Sequence, residues 1–229
     1  MKILNSFKRL TKFEIMLWLA SLTAVMLSAL SGKLSALSVT ASMIGVTALI
    51  FVARGDVLGQ FLTLLFSVLY AVVSFKQHYY GEMITYLGMT APMAALSAVS
   101  WLRHPYKRGE NEVRVARLSK KQIALMTVLT AAVTVLFYFV LRLLKNASLA
   151  VSTVSVTTSF LASYLTFCRS YWYALAYAAN DIVLIVLWII SSIADPAYIS
   201  MVICFTMFFF NDIYGFINWQ RLYKRQNAD

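Results

Sequence analysis

Charge is scarce in this chain. Only 13% of its 229 residues are Asp, Glu, Lys or Arg, about half the ~25% of an ordinary soluble domain. That excludes a disordered chain or a nucleic-acid-coating protein, and it argues against a cytoplasmic enzyme. Acidic residues are the rarer sign, nine against twenty Lys and Arg, for a formal net charge of +11. In a soluble protein such an excess would suggest nucleic acid as a partner; with so little charge overall, no nucleic-acid partner is expected. The two cysteines, Cys168 and Cys204, give no disulfide framework. The two histidines, His78 and His104, lie between apolar runs with no metal-ligand cluster around them. No P-loop, HExxH, GxSxG or CxxC pattern occurs. No metal, no cofactor and no catalytic role is therefore expected, nor an ATP-driven pump.

What the chain has is apolar length: 61% of its residues are hydrophobic. Eight apolar segments can be drawn, at roughly 13–30, 34–53, 57–75, 82–102, 123–144, 147–167, 171–191 and 197–217. Each is long enough to cross about 30 Å of hydrocarbon at about 1.5 Å per residue. The runs are continuous rather than alternating, so helices are expected and a barrel is not. The fold class is thus an all-α integral membrane protein with eight transmembrane helices. The first segment is read as a retained helix rather than a cleaved signal.

Eight spans put both termini, the turns at 54–56 and 168–170 and the loop 104–122 on one side. Only Lys33, Lys76, Arg142 and Lys145 then fall on the other side, leaving 16 of the 20 basic residues with the termini. The positive-inside rule makes that side cytoplasmic. The expected location is the inner or plasma membrane, with the lipid bilayer as surroundings and both termini, including the tail 222–229, in the cytoplasm.

Two segment ends resemble each other. Ser100-Trp101-Leu102-Arg103 precedes the long loop, and Asn218-Trp219-Gln220-Arg221 precedes the tail. Arg54 likewise matches Arg169. The reading is an internal repeat: three-helix units at 34–103 and 147–221, joined by the helix 123–144, with 13–30 as an extra helix. One joining helix gives both units the same orientation, a 3+1+3 parallel repeat of the kind found in some transporters.

Carboxylates are costly inside a membrane unless they face protein or water. Asp181 lies mid-segment, on one helix face with Tyr177 and Tyr173 and with Trp188 further along. Asn180 is about 100° round. This face can hold a polar, ring-shaped substrate, or it can be an interhelical hydrogen-bond cluster. In the last segment Asn211 is a candidate contact, while Asp212 is read as nearer the cytoplasmic end, suited to a salt bridge with Arg221 or Arg169. Trp219 is read as an interface anchor. In the first unit Gln60 and Ser67, with Tyr70, sit at helical spacing. Tyr86, Thr90 and Met93 share one side of a helix that Pro92 should bend. Tyr79 and Tyr80 read as an outer aromatic belt, with Glu82 at the same boundary. The candidate substrate-binding set is Asp181, Tyr177, Asn211, Tyr173, Asn180, Trp188, Gln60, Tyr86, Ser67 and Met93.

The stretches GEMITYLGMTAPM, YWYALAYAANDIVLIVLW and FNDIYGFINWQR resemble the bacterial PnuC family of nicotinamide riboside transporters. The resemblance spans about residues 13–225. It implies the parallel-repeat fold shared with the small sugar transporters called SWEETs, and inward facilitated diffusion (uniport) of an unphosphorylated precursor. It also implies functional coupling to a cytoplasmic kinase that traps the substrate; a homo-oligomer stays open. The family pattern in the penultimate helix is Trp, Trp three later and Asn four beyond. Here those positions hold Ala174, Tyr177 and Asp181; a one-residue shift would put Asn180 at the last. The departure leaves thiamine, riboflavin or a deoxynucleoside as alternative substrates. A proton- or cation-coupled carrier using Asp181, a lipid-acting membrane enzyme and a non-transporting scaffold are the competing classes.

Overall fold

The structure is a computed structural model, describing residues 3–29, 36–76, 80–107, 109–146, 148–194 and 199–228. Lys2, Lys33, His78, Tyr79 and Arg108 lie outside the described residues, as do the predicted segment ends at 30, 34–35, 147 and 197–198. The helices are α1 (Ile3–Lys8), α2 (Lys12–Ala29), α3 (Ala36–Ala53), α4 (Leu58–Lys76), α5 (Tyr80–Thr85), α6 (Ala91–Arg103), α7 (Lys120–Leu143), α8 (Leu149–Phe167), α9 (Trp172–Ala194) and α10 (Ile199–Gln226). A π-helical turn, Tyr86–Thr90, links α5 to α6. Counting α5 to α6 as one span, eight helices among the described residues are long and apolar enough to cross a membrane. In lipid a backbone polar group must find its partner within the chain, and the helix supplies one at every turn.

Helix ends follow local chemistry. Ser119 and Gln122 form a reciprocal capping box that starts α7. Pro92 has no N–H to give to a carbonyl one turn back. The bend expected there takes the form of the π turn, with Ala91 N–H reaching back to Tyr86 O. Between α3 and α4 the chain reverses through Gly55, at φ +69°, and Asp56 Oδ1 accepts from Leu58 N at 2.9 Å.

Gly59 permits the close α3–α4 crossing: a Cβ there would stand 2.4 Å from Val52 N. Gly59→Ala should therefore cost about 1–3 kcal/mol or more of overpacking. It is expected to lower the melting temperature in detergent sharply. Gly45→Ala, whose Cβ would meet only the Phe66 ring at 3.2 Å, should lower it far less. Equal melting of the two variants would contradict that packing.

The helices pack in a reciprocal order. α3, α4 and α5–α6 contact one another through α4, and α8, α9 and α10 do so through α9. The last helix of each set packs on the first helix of the other: α10 on α3, and α6 on α8. The first helices end in matching turns. Gly55 N bonds Val52 O and Asp56 N bonds Phe51 O; Arg169 N bonds Thr166 O and Ser170 N bonds Leu165 O, all at 2.9–3.0 Å. Arg169, at φ +59°, stands where Gly55 stands, one residue off the Arg54–Arg169 match read from sequence.

The two similar sequence stretches have a shared task here. Ser100 Oγ and Trp101 Nε1 donate to the carbonyls of Phe167 and Thr166, at 2.9 and 3.0 Å. Asn218 Nδ2 and Trp219 Nε1 donate to those of Ala53 and Val52, both at 2.9 Å. Carbonyls at a helix C-terminus lack intrahelical donors, and each set caps the other. Trp219 is 0% exposed and packs on Trp101 and Tyr173. It is a buried cap, which corrects the reading of an interface anchor.

The stretch expected to be a connecting loop forms, over its described residues 104–107 and 109–119, an ordered strap. Val113 N bonds Gly55 O at 2.8 Å, Val57 N bonds Asn111 O at 3.1 Å, and Ala116 N bonds Arg169 O at 2.9 Å. Val113 and Val115 are buried in the same core as Trp101 and Trp219. Both ends of the chain meet this strap: Arg9 pairs with Glu110 at 3.5 Å, and Arg225 pairs with Glu112. The termini thus share one face with it. α2 is fixed by a half-buried ion pair, Arg54 Nη1 to Glu14 Oε2 at 2.7 Å, with Tyr214 OH donating to Glu14 Oε1 at 2.7 Å. α7 packs chiefly on α8 and leaves Leu125, Val128, Val135 and Phe139 exposed, a face suited to lipid.

Candidate functional site

A cavity of about 510 Å³ lies between the two helix sets. That volume suits a ligand of nucleoside size. It is lined from α3, α4, α5, the π turn, α8, α9 and α10, with Leu144, Lys145 and Asn146 at one end. Toward the termini it is stopped by Val52, Thr166 and Tyr173, and the buried layer of Trp101, Trp219 and Val113 lies behind them.

Aromatic rings make its walls. Tyr86, brought to the cavity by the π turn, stands edge-on to Phe66 (5.7 Å between centroids, 89°) and 4.5 Å from Tyr70. Tyr173 and Tyr177 meet at 6.2 Å and 77°, and Trp188 lies further along α9. Tyr173 OH donates to Val52 O at 3.3 Å, and Tyr177 OH shares a 2.8 Å hydrogen bond with Ser163. These bonds fix both rings before any ligand enters.

Carboxyl groups make the polar part. Asp181 and Asp212, from neighbouring helices, both line the cavity and stand close enough to interact. Asp181 is 3% exposed, and its Oδ2 meets no donor among the described residues. Glu82 Oε2 accepts from Tyr70 OH at 2.9 Å. Among the described lining residues the one Lys or Arg is Lys145, at the far mouth. A ring-walled cavity lined by carboxyl groups can hold a positively charged aromatic ring by stacking, and by charge where a carboxyl is ionised. Among the described residues no group of three or more His, Cys, Asp or Glu is arranged to hold a metal ion.

The cavity brings together Asp181, Tyr177, Tyr173, Asn180, Trp188, Gln60 and Tyr86. Asn180 reaches it as a held group, its Oδ1 accepting from Ser155 at 3.1 Å and Thr158 at 2.8 Å. Three of the expected residues face elsewhere. Asn211 is 1% exposed and points to α2, donating to Ser21 Oγ at 3.0 Å and Met207 O at 2.8 Å. Ser67 is fully buried and donates back to Thr63 O at 2.7 Å. Met93 packs against the cluster of Met89, Phe137 and Phe160. Asp212, expected near a cytoplasmic salt bridge, is instead a cavity residue.

The sequence reading also passed over a serine stripe on α8. Ser152, Ser155, Ser159, Ser163 and Thr166 all line the cavity. Their spacing of three and four residues is legible in the sequence as one helix face. Glu82, read as a boundary residue, is a cavity residue too.

The fold and the cavity define a class: a multi-spanning helical membrane carrier for a small molecule. Residues 35–221 match the family described as Nicotinamide mononucleotide transporter. The chain belongs to this family, that of the PnuC transporters, and is a transporter rather than an enzyme. It is 26% identical over 197 residues to the Nicotinamide riboside transporter PnuC of Neisseria mucosa, covering 84% of this chain and 74% of that one. It is 25% identical over 192 residues to the protein of the same name from Haemophilus influenzae, covering 83% and 82%. The crystal structure of the vitamin B3 transporter PnuC superposes with a TM-score of 0.80 at 25% identity, covering 95% of this chain and 94% of that one.

Proposed function

We propose that this chain carries nicotinamide riboside inward by facilitated diffusion, with a cytoplasmic kinase trapping the product. The observation that carries the reading is the Asp181–Asp212 pair at a ring-walled cavity whose one basic group among the described residues stands at the mouth. Two carboxyls in contact away from water cannot both carry charge cheaply: they share a proton or take a positive charge between them. A pyridinium ring supplies it, while Tyr86, Tyr173, Tyr177 and Trp188 offer faces and edges to the ring. Gln60, Asn180 and the α8 serines offer partners to ribose hydroxyls and a carboxamide. Both termini are assigned to the cytoplasm, on the strength of the basic residues gathered on their face.

The carrier works by alternating access between two like-oriented triplets, 34–103 and 147–221, in a 3+1+3 SWEET-like arrangement. Its support is the reciprocal packing of α6 on α8 and α10 on α3, and the crossed Trp101 and Trp219 bonds. Opening toward the termini has to part those bonds. The oligomeric state, a homo-oligomer included, does not enter this mechanism.

Among the described residues a phosphate finds no basic partner deep in this cavity. A charge left unpaired at the membrane centre costs about 2.5–3.5 kcal/mol, so uptake of the mononucleotide into liposomes holding the purified protein should be roughly a hundredfold below that of the riboside. Riboside uptake should saturate, run only downhill, and persist when ionophores collapse ion gradients. Equal uptake of riboside and mononucleotide would overturn the reading. Uptake that stops with the gradients would favour a proton- or cation-coupled carrier built on the same carboxyl pair.

A second substrate is favoured by one observation: Asp181 and Tyr177 occupy positions of the family's Asn and Trp. Another unphosphorylated cationic precursor, thiamine above all, meets the carboxyl pair equally well. Riboflavin and deoxynucleosides, which bring no fixed positive charge, suit it less. Saturable uptake of thiamine alone would redirect the substrate and spare the mechanism.

A further inference from the structure

On the face that carries the termini, the strap and the α8–α9 turn enclose a second, shallower pocket. His104, Arg114 and Arg117 from the strap region converge there with Arg169 of the turn, beside Tyr223 and Asn227 of the C-terminal segment. The strap's two carboxylates are already engaged: Glu110 with Arg9, and Glu112 with Arg225 and Gln226. Arg114, Arg117 and Arg169 have no carboxylate partner among the described residues.

Retention of basic residues on one side of a membrane explains which face they occupy. It does not explain why three arginines line one pocket, nor why one of them is partly desolvated without a counter-charge. The Nε of Arg169 is buried and meets no acceptor. Burial, and more weakly the charge of Arg114, lower the pKa of that guanidinium, with Cys168 opposing. An uncompensated buried donor of this kind is costly unless an acceptor arrives. The site is also held in shape. Arg117 lies over the Tyr223 ring at 5.2 Å, and His104 Nδ1 bonds Ser100 O at 2.8 Å. Backbone bonds tie Arg114 N to His104 O and Ala116 N to Arg169 O, both at 2.9 Å.

We infer that this pocket is an anion site for a phosphate group, held by the forks of Arg114, Arg117 and Arg169. Planar guanidinium groups match phosphate oxygens two at a time. The phosphate can come from a soluble compound or from the headgroup of an anionic lipid. The site is independent of the substrate cavity, being on the other side of the Trp101–Trp219 layer. An occupant would bridge strap and turn, and so brace the closed inner face.

The test uses the full-length protein in detergent, titrated with inorganic phosphate against chloride at equal ionic strength and followed by melting temperature. Phosphate should raise the melting temperature saturably and chloride should not. Losing one charge-assisted partner should weaken the apparent affinity about tenfold or more, in Arg117→Gln and in Arg169→Gln. Arg117 is exposed, so its variant tests the site even where the turn variant does not fold. A parallel arm purifies the protein from membranes containing phosphatidylglycerol and weighs the intact complexes. Lipid retained by the wild type and lost in Arg117→Gln, with no response to inorganic phosphate, assigns the site to a headgroup. The site is refuted if chloride matches phosphate with no lipid retained. It is refuted equally if phosphate response and lipid retention are the same in both variants as in the wild type.

Discussion

Asp181→Asn should cut riboside uptake by about ten- to a hundredfold while leaving the melting temperature unchanged or raised. The substitution keeps the size of the side chain and removes its charge. A hydrogen bond or contact to a charged group is worth about 1.5–3 kcal/mol, which sets the loss of uptake. Stability moves the other way, because a buried carboxyl that meets no donor at Oδ2 carries a desolvation cost the amide avoids. Asp212→Asn should act in the same direction. The double variant should lose less than the two single losses combined, since the carboxyls touch and serve one charge. If Asp181 were instead part of a purely structural cluster, the asparagine variant would keep its uptake and melt earlier. Uptake in liposomes and melting in detergent, measured on the same preparation, separate the two.

Trp101→Ala and Trp219→Ala should each cost about 3–5 kcal/mol, enough to remove most of the folded protein. Both indoles are 0–1% exposed, so truncation opens a cavity in the layer beneath the candidate site. Each also loses the N–H that reaches a carbonyl of the opposite helix set. The Phe variants keep most of the volume and lose chiefly that hydrogen bond, worth about 0.5–1.5 kcal/mol; they should fold and melt modestly earlier. The two positions should respond alike, because their environments mirror one another. A large loss at one tryptophan and none at the other would contradict the reciprocal arrangement. Melting temperature and yield of monodisperse protein report both effects.

The spans were legible in the sequence because lipid leaves a chain little choice, and a run of about twenty apolar residues carries that constraint openly. The pairing of Ser100-Trp101 with Asn218-Trp219 was visible as similarity. Its meaning was not, since sequence shows which residues match and not which carbonyls they cap. Helix phase explains the mixed outcome at the cavity. It puts Tyr173, Tyr177 and Asp181 on one face correctly, because they are mutual neighbours on one helix. It cannot say which neighbouring helix a face meets. Asn211 and Asp212 differ by about 100° on α10, and the sequence reading turned the first inward and the second away. The structure has the reverse, because α2 offers Ser21 to Asn211 while α9 presents Asp181 to Asp212. The α8 serines went unweighed because such residues are common in any membrane bundle. Glu82 reads in sequence as a membrane-edge residue, because its bond to Tyr70 belongs to tertiary packing alone.

On this reading the carboxyl pair selects a positively charged ring. The most direct measurement is calorimetric binding of nicotinamide riboside against its dihydropyridine form, which has nearly the same shape and no ring charge. The charged form should bind the purified protein at least about tenfold more tightly, and the advantage should vanish in the Asp181→Asn, Asp212→Asn double variant. Equal affinities in the wild type, or an advantage that survives the double substitution, would contradict the claim.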